Sequence, residues 1–146
     1  MNHRIAILSD IHGDTRALKA VIADARALGA TEYWLLGDIL LPGPGREDLF
    51  ELLDAIPITV AVRGNWDDCL LEALDGEYGL EDPQEIQLLR LTQYLMEGLD
   101  PKRIDWLRSL PLVEKKEVNG IRFSLSHNLP EKNYGGDLRP ANATEN

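Results

Sequence analysis

Three short apolar runs, residues 4–9, 32–36 and 58–62, alternate with stretches of helical spacing, and no other feature constrains the fold as much. Between the first two runs Leu18, Val21, Ile22, Ala25 and Leu28 recur at helical intervals, and Gly29 stands where a helix would stop. After the Pro- and Gly-rich loop at 41–45, Leu49, Phe50, Leu52 and Leu53 mark a short amphipathic helix over 47–55. Strand, helix, strand, helix, strand implies parallel βαβ units with right-handed crossovers. The carboxyl ends of the three strands then lie along one edge, where open α/β sheets bind their ligands.

The second half of the chain changes character. Residues 68–80, acidic and interrupted by Gly76 and Gly79, read as no more than a helical turn. Asp82-Pro83-Gln84-Glu85 carries the start signals of a helix: a capping aspartate, a proline for the first turn, and a glutamate placed to reach back as in a capping box. Gly98 closes that helix, and Asp100-Pro101 opens another to about Ser109, so residues 82–109 read as a paired helical insertion. Two β-rich runs, 112–118 and 121–126, then flank Asn119-Gly120, the dipeptide that most favours a tight hairpin. Residues 129–146, with Pro130, Gly135, Gly136 and Pro140, read as an irregular tail to a domain spanning 1–128.

At 146 residues the chain has the length of one domain. Its 15 basic against 25 acidic residues leave a formal charge of −10, which repels phosphate backbones and anionic lipid. Long nucleic acids and membrane surfaces are therefore not expected as partners. An acidic chain can still bind a phosphate if divalent cations reverse the local field, and some carboxylates are then ligands. Cys69 is the sole cysteine, so no internal disulfide forms, and no stretch approaches the roughly 18 apolar residues of a membrane span. The expected location is the cytoplasm.

Four polar motifs carry the chemistry. Asp10-Ile11-His12 follows the first predicted strand, Gly37-Asp38 the second, Gly64-Asn65-Trp66-Asp67 the third, and Ser126-His127 closes the hairpin. Taken singly, each is more often a turn, a cap or an exposed histidine. Together they place every candidate directly after a strand, so folding should gather them at one edge. Asp10, His12, Asp38, Asn65 and His127 mix carboxylate or amide oxygen with imidazole, a set suited to Mn first, with Fe or Zn as alternatives. Asp38, central in the series, is the natural bridging ligand between two divalent cations. Such a pair, about 3.5–4 Å apart, holds a bridging hydroxide for in-line attack on phosphorus. Asp38, Asn65 and Asp67 are then the catalytic residues, Asp67 by orienting neighbouring ligands.

With SDIHGD, LLGDIL and RGNWDD in this order, the chain resembles the calcineurin-like metallophosphoesterase family, most of all its small bacterial phosphodiesterase branch. The resemblance covers most of residues 4–128. It implies a four-layer α-β-β-α sandwich of the α/β class, with Asp10, His12 and Asp38 on one metal and Asp38, Asn65 and His127 on the other. Two departures accompany it. Trp66 stands where many relatives carry a histidine that can protonate the leaving oxygen, which an indole cannot do. No Gly-His-x-His follows His127, so the C-terminal part of the second sheet and one ligand per metal are expected to be missing, leaving the strand at 121–126 as an edge for a homo-oligomer.

The reading that follows is a dinuclear-metal phosphoesterase acting on a small phosphorylated substrate, monoester or diester, with activity impaired by truncation. The alternative is a catalytically inactive binding or scaffold protein with the same fold, and a third reading is a fragment of marginal stability. Outside the motifs, Tyr33, Trp34 and Trp106 read as packing residues and His3 as exposed. Acidic neighbours should raise the Cys69 thiol pKa, which argues against a nucleophile there.

Overall fold

The computed structural model of the chain describes residues 3–131 and 134; most of the tail expected at 129–146 lies outside the described residues. Three parallel strands, β1 (Ile5–Leu8), β2 (Glu32–Leu35) and β3 (Ile58–Ala61), form a sheet in the spatial order of the chain. Helices α1 (Thr15–Ala27) and α2 (Glu47–Asp54) make the crossovers. Because both crossovers step the same way across the sheet, a right-handed connection puts both helices on one face. The other face is left for a second layer.

Strand β2 shows the two faces in its alternation. Tyr33 and Leu35 enter the large core with Leu18 and Ile22 of α1 and Leu49, Phe50 and Leu53 of α2, while Trp34 joins Val60 and Leu125 in a smaller core. That smaller core is the contact with the hairpin of β4 (Val113–Val118) and β5 (Ile121–Ser126), and Trp34 meets Phe123 edge to face at 5.2 Å between ring centroids. Asn119 and Gly120 both take positive φ, 52° and 79°, the geometry a two-residue hairpin turn requires. The chain is thus an α/β fold in which helices, sheet and hairpin stack in layers.

Three further helices, α3 (Asn65–Asp75), α4 (Pro83–Met96) and α5 (Pro101–Ser109), complete the described elements. Helices α4 and α5 both pack against α3, and their Leu95, Ile104 and Leu107 belong to the large core. Asp82 and Asp100 cap them as their Asp-Pro signals predict, accepting from the backbone N–H of Gln84 and Lys102.

Two expectations are corrected. The segment at 68–80 is not a mere turn: α3 runs for 11 residues, burying Leu70, Leu71 and Ala73 and ending at Gly76 in the left-handed region. Its acidic composition and two glycines masked a sound apolar stripe, and its start lies inside the Gly-Asn-Trp-Asp motif. Glu85 does not close a capping box on Asp82 either; its Oε2 accepts from the backbone N–H of Gly79 at 2.8 Å and ties down the link between α3 and α4.

Candidate metal centre

The loops that follow β1 and β2 are zipped together past the ends of the strands. The amides of Asp10, His12 and Gly13 donate to the carbonyls of Gly37, Asp38 and Ile39 at 3.1, 2.9 and 2.9 Å. To keep this pairing while turning side chains toward a common point, Asp10, His12 and Asp38 adopt positive φ of 55°, 49° and 57°. Left-handed backbone at three non-glycine residues is costly and is concentrated where the candidate ligands stand.

Two glycines make the approach of the third loop feasible. A Cβ on Gly37 would lie 2.4 Å from the nitrogen of Gly64, and a Cβ on Gly64 would lie 2.1 Å from Oδ1 of Asp38. The Gly-Asp and Gly-Asn motifs therefore need glycine because their backbones touch.

Asp38 is the hub. Only 2% exposed, it accepts from the backbone N–H of Trp66 at Oδ1 (2.9 Å), while its Oδ2 lies 3.7 Å from Nε2 of His12 and 3.4 Å from Nε2 of His127. On the first side, one donor atom each from Asp10, His12 and Asp38 lie within 4.8 Å of one another. On the other side, Nε2 of His127 is 3.0 Å from Oδ1 of Asn65. The structure thus brings all five candidate ligands to one place, in two groups that share Asp38.

The imidazoles are oriented from behind by main chain. Nδ1 of His12 faces the carbonyl of Leu41 at 2.5 Å and Nδ1 of His127 faces that of Leu36 at 2.6 Å, which leaves each Nε2 aimed at Asp38. The Asp38 carboxylate beside it holds the His127 imidazole up at about 9. Ser9 donates from Oγ to Asp10 Oδ2 at 2.5 Å. These supports escape sequence reading, since carbonyl oxygens carry no residue signature and a serine before an aspartate is commonplace.

Asp67 is buried at the third residue of α3, and its carboxylate accepts from the amides of Asp38 (2.8 Å), Ile39 (3.0 Å) and Gly64 (2.8 Å). It therefore welds the second loop to the third. Burial pushes this carboxyl up to about 6, against the pull of the three amides. Trp66 sets its ring edge to face with His12, 6.0 Å between centroids. Burial is the main cause raising the Cys69 thiol, with Glu72, Asp68 and Asp38 adding to it.

The donors satisfy a simple fit test for a divalent cation. Ligand atoms about 2.0–2.2 Å from one ion must lie within roughly 4 Å of each other, close to the spread of the Asp10, His12 and Asp38 group, and hard oxygen with imidazole is a common divalent set. A family model for calcineurin-like phosphoesterases matches residues 3–144. The chain belongs to that family. A crystal structure of a metallophosphoesterase from Sphaerobacter thermophilus superposes with a TM-score of 0.56 at 31% identity, covering 78% of this chain and 44% of that one. The hypothetical protein PH1004 from Pyrococcus horikoshii shares the fold, with a TM-score of 0.67 at 22% identity over 93% of this chain and 59% of that one.

Among curated relatives, the uncharacterised protein MJ0912 of Methanocaldococcus jannaschii is 30% identical over 131 residues, 87% of this chain and 50% of that protein. A symmetrical bis(5'-nucleosyl)-tetraphosphatase of Salmonella paratyphi A is 29% identical over 113 residues, 76% of this chain and 38% of that protein. The chain spans half or less of the length of these curated relatives. Among the described residues no helix is long and apolar enough to cross a membrane.

Proposed function

We propose that this phosphoesterase-family chain binds two divalent cations and hydrolyses a phosphoester of a small substrate. One cation would be held by Asp10, His12 and Asp38 and the other by Asp38, Asn65 and His127. The observation that carries the reading is Asp38 itself, a buried carboxylate whose Oδ2 is approached by the Nε2 atoms of two histidines, at 3.7 and 3.4 Å. When bound, the cations supply Lewis acidity that activates water and neutralises the phosphoryl oxygens. The donor set makes Mn the first ion to try.

The chain's own residues do the rest. The carbonyls of Leu36 and Leu41 hold both imidazoles in the tautomer that presents Nε2, and Asp67 positions Asp38 through the amides of both loops. Trp66 offers no proton to a leaving oxygen, so esters of acidic alcohols and phenols should turn over best. The likeness to a tetraphosphatase adds nucleoside phosphates to the substrates worth assaying.

The test is metal content and bis-p-nitrophenyl phosphate hydrolysis of the purified chain in excess Mn, beside Asp38→Asn. Two retained cations and turnover reduced at least about a hundredfold by the substitution are expected. No metal and no difference between the proteins would overturn the reading. The competing one, a binding module without turnover, draws on Trp66, whose indole packs on His12 where an acid would be useful. It requires cooperative folding with no turnover on any ester.

A further inference from the structure

Next to the candidate metal centre, α3 and α4 border an open cleft of about 500 Å³. Its position is tied to the centre through two residues. Trp66 lines the cavity and also meets His12 edge to face, 6.0 Å between ring centroids. Pro42, also on the wall, directly follows Leu41, whose carbonyl faces Nδ1 of His12. A group attached to phosphorus at Asp38 and His12 thus has an adjoining space bounded by the indole.

The walls say what that space accepts. Trp66 and Tyr78 supply aromatic surface, Leu88 and Leu91 supply aliphatic surface, and the amides of Gln84 and Gln87 offer donors and acceptors at the rim. A few hundred cubic ångströms with mostly apolar walls and a few polar groups is the usual character of a small-ligand site. Among the described residues that line it, none is basic, and its acid Glu85 is engaged with the amide of Gly79. A second phosphate would meet no cation there. A flat, uncharged ring would meet aromatic and aliphatic surface suited to it.

We propose that this cavity is the leaving-group site and that it takes an uncharged planar aromatic group carried on the phosphoester, either a nucleobase or a simple aryl ring. The assignment of the cavity to a leaving group rests on the phosphoesterase reading above, whereas its affinity for an aromatic ring does not. The two are therefore separable.

The experiment titrates the metal-free 146-residue chain with adenosine and, separately, with phenol, following the indole N–H resonances of Trp66, Trp34 and Trp106. A saturable shift of the Trp66 signal is expected, with the buried Trp34 and the distant Trp106 unmoved. Response to adenosine alone identifies a nucleoside; response to phenol alone identifies an aryl ring. Gln84→Trp, on the exposed first turn of α4, and Leu88→Trp fill the cavity by different routes, so a folding failure in one leaves the other. Each should abolish the shift and lower the ratio of kcat/KM for phenyl phosphate over trifluoroethyl phosphate by at least about tenfold, the scale of one pocket contact. No Trp66 shift with either ligand overturns the proposal even if esters are hydrolysed. A shift with no turnover on any ester in excess Mn instead overturns the leaving-group role and leaves an aromatic-ligand site.

Discussion

Strand β2 carries a shielded carboxylate near each end, and the two are treated in opposite ways. Glu32, at its start, is surrounded by donors: Nε1 of Trp34 at 2.8 Å, Nζ of Lys116 at 2.9 Å and the hydroxyl of Thr59. These hold its carboxyl down at about 2, the Thr59 hydroxyl contributing most, and Lys116 reaches it from the hairpin, so the group pins one layer to the next. Asp38, just past the other end, has one amide donor and two imidazoles at distances longer than direct hydrogen bonds. A satisfied carboxylate stabilises a fold, while one surrounded by further ligand-type atoms and left-handed backbone is suited to hold a cation. The same strand thus has a structural foot and a chemical head.

The comparison can be broken by exchanging the effects. Asp38→Asn should preserve thermal stability, because the amide oxygen can still accept from Trp66, but should reduce phosphoesterase turnover roughly 10²–10³-fold, as when one preorganised electrostatic group is lost. A large fall in Tm with metal content unchanged would show that Asp38 is structural after all. Glu32→Ala should do the reverse. It orphans the Trp34 N–H and should cost about 1–3 kcal/mol in denaturant unfolding, with turnover per bound metal unchanged. Because the folded-state value of about 2 lies below the free carboxyl's 4.5, this contribution is complete above about pH 4.5 and is lost as pH falls toward 2. The acid limb of the stability curve should therefore flatten in Glu32→Gln.

At the head of the strand the pH dependence has another origin. The metal-free His127 imidazole keeps its proton up to about pH 9, and a cation must displace that proton to bind. Calorimetric affinity for Mn should rise by up to about tenfold per pH unit until about 9 and then level, and the slope should shrink in His127→Gln. A flat affinity in the native chain would remove His127 from the ligand set. The smallest effect belongs to Lys116→Met, where the partly exposed ammonium should cost about 1 kcal/mol or less, diminishing with added salt.

The helical segment at Asn65–Asp75 shows where sequence reading stopped. Its leucines kept helical spacing, but the acidic residues and glycines around them suggested no more than a helical turn, and Asp67 was legible as an orienting residue without being legible as part of a helix start. What had no signature was tertiary: the amides of Asp38 and Ile39 from which Asp67 accepts come from 29 and 28 residues earlier in the chain. Glu85 illustrates the converse. Its spacing from Asp82 matched a local capping box, yet Gly79 offered an unpaired amide and took the bond.

Periodicity and turn chemistry were enough to establish every described element but α3, because burial repeats every two or 3.6 residues whatever the neighbours are, and Asn-Gly or Asp-Pro act on their own backbones. They also showed that four polar motifs follow strands. Which atoms of those motifs meet, that two histidines converge on Asp38, and that Trp66 touches both His12 and a neighbouring cleft came from the assembled molecule. Those relations depend on close contacts between Gly37 and Gly64 and on hydrogen bonds across distant loops, and long-range contacts of that kind leave no period in a chain.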